Sequence, residues 1–190
     1  MAIHRVRFHG RGGQGAVTAA KVVAPALYAA GHNVQAIPAF GVERRGAPVR
    51  AYVKYTDDRD EVIPTRTYVH EPEFVLCMDD TLVETDRVTE GLQPGGAVVV
   101  NTRRPLDDLD VDADRVATVD AGAIARETTG TNIVNTVVLG SFAAVSGAVG
   151  IDHVASAIRE RLPPAIADAN VEAARLGYER TVVPWTRRGS

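Results

Sequence analysis

Two short stretches, Phe74-Val-Leu-Cys-Met78 and Ala97-Val-Val-Val100, are apolar without interruption. A strand that alternates hides one face, whereas a strand apolar at every position must be covered on both. Asp79, Asp80 or Thr81 stands where it can cap a helix running toward Gly91, and Gln93-Pro-Gly-Gly96 turns the chain into the second run. A third short run, Val116-Ala-Thr-Val119, leads into a helix near 121–127. Strands that need cover on both faces and alternate with helices predict an α/β fold with a largely parallel sheet.

The N-terminal stretch follows the same pattern. A β-type run over 4–9, with Val6 and Phe8, enters a glycine cluster at Gly10, Gly12, Gly13 and Gly15, and an Ala/Val-rich helix over roughly 14–30 leaves it. Pro25 should kink or split that helix, because it removes a backbone donor and crowds the preceding turn. Strand, glycine turn and helix is the setting in which backbone N–H groups can cradle an anion, and it is equally the setting of a tight βα turn with no ligand. A dinucleotide site places an acid about twenty residues further on. Here that neighbourhood reads Gly31-His-Asn-Val-Gln-Ala-Ile37, with only Asn33 or Gln35 to substitute. No Gly-Lys-Ser/Thr follows the glycines either, so NAD chemistry and a P-loop are both disfavoured. The fold expected is a Rossmann-like single domain.

Residues 33–37 read as a second strand and 38–48 as irregular; 49–55 alternate as a half-exposed strand should. The last third turns helical. Residues 135–149 are apolar nearly all round and should lie against the sheet or a partner. Asp152 can cap a helix carrying Val154, Ala157, Ile158 and Leu162, stopped by Pro163-Pro164. In 165–180, Ile166, Ala169, Ala173 and Leu176 recur at helical spacing, with Asp168, Glu172, Arg175 and Glu179 as a separate polar stripe. The core spans 3–180 with a tail over 181–190, whose Trp185 either anchors on a neighbour or folds back on its own domain.

The formal net charge of −3 gives no global attraction for nucleic acid or an anionic membrane. The run Asp107, Asp108, Asp110, Asp112 and Asp114 reads as a solvated loop. The opening residues lack the apolar segment of a signal peptide. The longest apolar stretch is broken by Asn135, Thr136, Ser141 and Ser146, as in a buried helix rather than a membrane span. A cytoplasmic location is expected. One cysteine, Cys77, excludes an internal disulfide and an iron–sulfur cluster held by this chain's cysteines alone. It sits in an apolar run and reads as an inert core residue. His4, His9, His32, His70 and His153 show no metal-ligand spacing, and His9 reads as an ordinary strand-end histidine.

The remaining polar feature is Glu43-Arg44-Arg45-Gly46. Adjacent arginines in a Gly/Pro-rich loop can offer planar forks to a phosphate, a carboxylate or a partner's acids. Alternatively, Glu43 pairs with one arginine and the other is solvated. Asn132 and Asn135 can each start a helix, and Asn135 can also face a ligand. No nucleophile motif is present, and the chain by itself shows no catalytic apparatus.

Taken together, Gly10-Arg-Gly-Gly-Gln-Gly15, Phe40-Gly-Val-Glu-Arg-Arg-Gly-Ala-Pro-Val49 and Asn135-Thr-Val-Val-Leu-Gly140 resemble the gamma subunit of the 2-oxoacid:acceptor oxidoreductases, the pyruvate:ferredoxin oxidoreductase group. The resemblance implies one part of a larger enzyme that oxidatively decarboxylates a 2-oxoacid to an acyl-coenzyme A. It implies thiamine diphosphate with Mg and [4Fe-4S] clusters on alpha, beta and delta-type partner subunits. The electron acceptor is then ferredoxin, or NAD through a further subunit. On this chain it implies a role in forming the coenzyme A side of the site. Gly10, Gly12, Gly13, Gln14 and Gly15 match the glycine motif, Glu43, Arg44, Arg45 and Gly46 the arginine loop, and Asn135 the helix-start asparagine. Two rivals remain: a free-standing nucleotide-binding regulatory or scaffold protein, and an NAD-dependent dehydrogenase.

Overall fold

The alternation of apolar runs and helical segments is realised as β1 (Ile3–Arg11), α1 (Ala16–Ala29), β2 (Val34–Pro38), β3 (Pro48–Thr56), β4 (Phe74–Cys77), α2 (Thr81–Thr85), β5 (Ala97–Asn101), β6 (Arg115–Val119), α3 (Ala121–Thr128), α4 (Asn135–Ser146), α5 (Ile151–Arg161) and α6 (Pro164–Arg180). The computed structural model describes residues 2–38, 45–64 and 67–187. The strands form one six-stranded sheet in the order β2-β3-β1-β4-β5-β6. β1, β4, β5 and β6 pair in parallel, while β3 is antiparallel to both β1 and β2. β3 alone is therefore reversed, and the sheet is largely parallel, as the apolar runs require.

Its two faces carry unequal cover. Val6 and Phe8 of β1, Leu76 of β4 and Val99 of β5 point into a large core shared with α1, α3, α4, α5 and α6. The alternate residues Val75, Cys77, Val98 and Val100 meet a thinner layer made of Leu82 and Val83 of α2, Val88, and half-buried Leu106, Leu109 and Val111. Helices α4 and α6 pack with almost no side chain between them. A Cβ on Gly140 would lie 1.9 Å from the Ala174 carbonyl oxygen, and one on Gly177 would lie 2.2 Å from that of Val137.

Several sequence expectations need correction. α1 runs through Pro25 without being split. β3 is not half-exposed: residues 51–56 are all buried. The reason is its inner place between β1 and β2, and a small cluster in which Tyr52 packs with Ile37 and Val69. Asp152 lies in the first turn of α5 rather than capping it, and pairs with Arg175 at 2.7 Å. Ile166 is 47 % exposed; α6 instead buries Ala167, Val171, Ala173, Ala174 and Gly177, small residues that suit the close contact with α4. α4 ends at Ser146, three residues short of the 149 expected. The acidic run is exposed as expected. Trp185 folds back, partly buried, with the Arg115 guanidinium 4.9 Å from its ring.

Candidate functional site

The polar residues gather where parallel strands end and helices begin, the edge at which open α/β sheets bind ligands. β1 delivers the glycine turn to that edge. Gly15 caps α1 in the left-handed conformation, φ +87°, and an added Cβ would lie 2.6 Å from Asn135 Nδ2. Only glycine meets both conditions, and its absent side chain makes room for Asn135 beside the first turn of α1, whose leading N–H groups have no intrahelical acceptors.

The second loop joins the first by backbone pairing. Gly12 N–H donates to Ala47 O (2.9 Å) and Gly46 N–H donates to Gly12 O (3.1 Å), so Arg45 and Gly46 lie alongside the glycine turn. This contact depends on the reversal of β3, whose first residue, Pro48, is in register with Arg11 at the end of β1. Arg11 fastens the junction. Its guanidinium donates to Gly46 O (3.1 Å) and Thr81 Oγ1 (2.7 Å), and its Nε sits 3.3 Å from Asp79 Oδ2.

A cleft of about 860 Å³ opens beside this junction. Its lining combines the glycine turn and two cations, Arg11 and Lys21, with apolar Leu162, Ile166 and Ile133, the last 45 % exposed. Asn135, 6 % exposed, lines the same cleft from the start of α4. Its Oδ1 accepts from the Thr136 N–H (2.8 Å), which turns its NH₂ toward Gly15. Anionic ligands suit the glycine turn, through the positive pole of a helix N-terminus and two cations.

The structure thus brings Gly12, Gly13, Gly15 and Asn135 to one cleft and sets Arg45 and Gly46 beside it. Gly10 sits inside β1, and Gln14 braces the turn: its Oε1 accepts from the Arg11 N–H (2.7 Å) and its Nε2 donates to Asp79 (3.0 Å). Glu43 and Arg44 lie outside the described residues. Arg11, Thr18, Lys21 and Asp79 are site residues the sequence reading missed. Arg11 was inside the quoted glycine motif, and Asp79 directly follows β4, the end of a parallel strand; those positions were the available signals.

His9 is not an ordinary strand-end residue. It is fully buried, accepts from Arg7 Nε at Nε2 (2.8 Å) and donates from Nδ1 to Asp86 Oδ2 (2.7 Å). Arg7 also donates to the carbonyls of Val88 and Glu90, and Arg50 NH2 donates to Asp86 Oδ1 (2.8 Å). Burial, together with the Arg7 charge, lowers the His9 pKa from 6.5 and keeps the ring neutral. Burial pushes Asp86 up, but hydrogen bonds from His9 and Arg50 outweigh it and hold the carboxyl at about 2. The network ties the 86–90 segment to β1 and β3. Cys77 behaves as the sequence suggests, buried with its thiol pushed up by burial to about 12.

Among the described residues no three His, Cys, Asp or Glu side chains gather as metal ligands, and no helix is long and apolar enough to cross a membrane. The profile of the pyruvate ferredoxin/flavodoxin oxidoreductase family matches residues 5–180. The chain is 46 % identical over 175 residues to the pyruvate synthase subunit PorC of Methanothermobacter marburgensis, covering 92 % of this chain and 96 % of that one. It is 44 % identical over 182 residues to the pyruvate/ketoisovalerate oxidoreductases common subunit gamma of Thermococcus kodakarensis, covering 94 % and 97 %. The crystal structure of the pyruvate oxidoreductase subunit PORC of Thermotoga maritima superposes with a TM-score of 0.85 at 32 % identity, over 97 % of this chain and 99 % of that one.

Proposed function

This chain belongs to the pyruvate ferredoxin/flavodoxin oxidoreductase family, and from that premise we propose that its cleft forms the coenzyme A side of the active site in a multi-subunit 2-oxoacid:acceptor oxidoreductase. The chain is the gamma-type subunit of that enzyme, with residues 3–180 as its domain. The single observation that carries the reading is the meeting of the glycine turn, the Arg45-Gly46 strip and Asn135 around one cleft lined by both cationic and apolar side chains. Coenzyme A has the matching chemistry: several phosphate charges and a long, less polar arm. Arg11, Lys21 and the first turn of α1 receive phosphate oxygens, and Asn135 offers them one further donor. The wall of Ile133, Leu162 and Ile166 shields the remainder from water.

Its one cysteine, buried in β4, cannot by itself hold a four-thiolate cluster. The family membership supports placing thiamine diphosphate with Mg and the [4Fe-4S] clusters on alpha, beta and delta-type partners. Those groups supply decarboxylation and electron transfer, with ferredoxin as acceptor, or NAD through a further subunit. The compartment is the cytoplasm. This chain's part is to bind and orient the acyl acceptor.

The test replaces Arg44 and Arg45 together by alanine in the assembled complex. A raised KM for coenzyme A with an intact complex places the arginines on the ligand, and loss of assembly places them on a partner's acids. Unchanged kinetics with unchanged assembly would remove the arginine loop from both roles. Hydrogen exchange adds an independent measure: coenzyme A should slow exchange at residues 12–18, and the cleft reading fails if it does not.

A further inference from the structure

Asp79 is not among the residues lining the cleft, yet the glycine turn and the start of α2 converge on its carboxylate. Oδ2 accepts from Gln14 Nε2 (3.0 Å) and lies 3.3 Å from Arg11 Nε. Oδ1 is held from below by the Thr81 N–H (3.1 Å) and the Thr81 hydroxyl. The Asp79 backbone oxygen accepts from the Cys77 thiol (3.1 Å). Each partner is itself committed elsewhere. Gln14 spends its oxygen on the Arg11 N–H, which settles which end of its amide faces Asp79, and Arg11 reaches on to Thr81 and Gly46. One carboxylate at the end of β4 therefore joins the glycine turn, the start of α2 and, through Arg11, the Arg45-Gly46 strip.

We infer that Asp79 is the positioning residue of the cleft: it sets the affinity for an anionic ligand by holding Arg11 and Gln14 in place, without contacting the ligand. The inference rests on the coenzyme A reading above and extends it to a group that reading does not use. Arg11 lines the cleft and carries the charge a phosphate would meet. A free arginine samples many rotamers, and ordering it on binding costs affinity; an arginine already held by a carboxylate and two further acceptors has lost that freedom beforehand. Burial opposes the charge on Asp79, but hydrogen bonds from Thr81 and Gln14 keep its pKa below the ordinary carboxylate value, so the brace is ionised at neutral pH.

Two effects of removing the charge have opposite signs, so the experiment discriminates. If Asp79 positions Arg11 and Gln14, Asp79→Asn in the assembled enzyme should raise the KM for coenzyme A about tenfold, as for loss of one charge-assisted bond, while kcat falls less than twofold. If Asp79 merely competes with the phosphate for Arg11, the same change should lower KM, and the inference is overturned. An unchanged KM overturns it too. Should Asp79→Asn fail to assemble, Gln14→Leu decides, because it cuts the link between Asp79 and the turn without altering any charge. That variant must also raise KM more than it lowers kcat. Coenzyme A protection of residues 12–18 in wild-type enzyme separates the two levels. With protection present and both variants unchanged in KM, only the Asp79 inference falls; with protection absent, the cleft reading falls with it.

Discussion

The buried His9 gives the fold a pH dependence that a single substitution should abolish. The native state holds the ring neutral because burial and the neighbouring Arg7 lower its pKa from 6.5, whereas the unfolded chain titrates normally. A histidine with a depressed native pKa contributes stability that is complete above the unfolded value. That stability is lost as pH falls from 6.5 toward the native pKa. Across that window the unfolded state binds one more proton, so each pH unit removes up to about 1.4 kcal/mol. For a chain of this size that corresponds to a fall in Tm of roughly 3–6 °C per pH unit. His9→Gln supplies an amide that can donate to Asp86 and accept from Arg7, the two bonds His9 makes. It cannot gain a proton. Thermal unfolding of the full chain followed by circular dichroism between pH 7.5 and 5 should show the wild-type midpoint falling more steeply than that of the variant, by about the amount given. Equal slopes would refute the argument. In wild type a second loss, of about 2 kcal/mol, should follow below pH 4, because hydrogen bonds from His9 and Arg50 hold the Asp86 carboxyl at about 2.

Gly15→Ala forces a left-handed alanine and drives its Cβ into Asn135. The backbone cost is about 1–2 kcal/mol and the displaced asparagine bond about 1 kcal/mol more, measurable as a lower urea midpoint, with a raised KM for coenzyme A in the complex. Gly140→Ala places a methyl 1.9 Å from the Ala174 carbonyl, so α4 and α6 must separate. A loss of about 3 kcal/mol or more in chemical denaturation is expected, and a loss under 1 kcal/mol would mean that the helix contact is softer than it looks.

Much of the frame was legible because it depends on neighbours in sequence. The uninterrupted runs at 74–78 and 97–100 become strands covered on both faces, and the glycine turn lies between β1 and α1 as its residues require. Local patterns do not encode strand order. Nothing near Arg11 announces Asp79, since Gln14 and its carboxylate are 65 residues apart and meet only because β1 and β4 pair in parallel. The same blindness explains β3. Tyr52 and Lys54 alternate with apolar residues as if facing water, but residues 67–69 lie over them: Lys54 donates to Thr67 and Tyr52 packs on Val69. On α6 two stripes at helical spacing competed. Ala173 and Leu176 of the expected stripe do pack on the core, but Ile166 is left outside, because the backbone at Gly140 admits only small neighbours.

The direction of one strand decides how wide a ligand this edge can reach around. β3 spans nine residues, about 30 Å. Had it run with its neighbours, the segment entering it would have emerged at the opposite rim, a full strand length from the glycine turn. Running backwards, it lets a chain segment only some thirty residues downstream become the second jaw of the same grip, joined to the first by two amide bridges. Whatever docks against that jaw pulls on the turn directly.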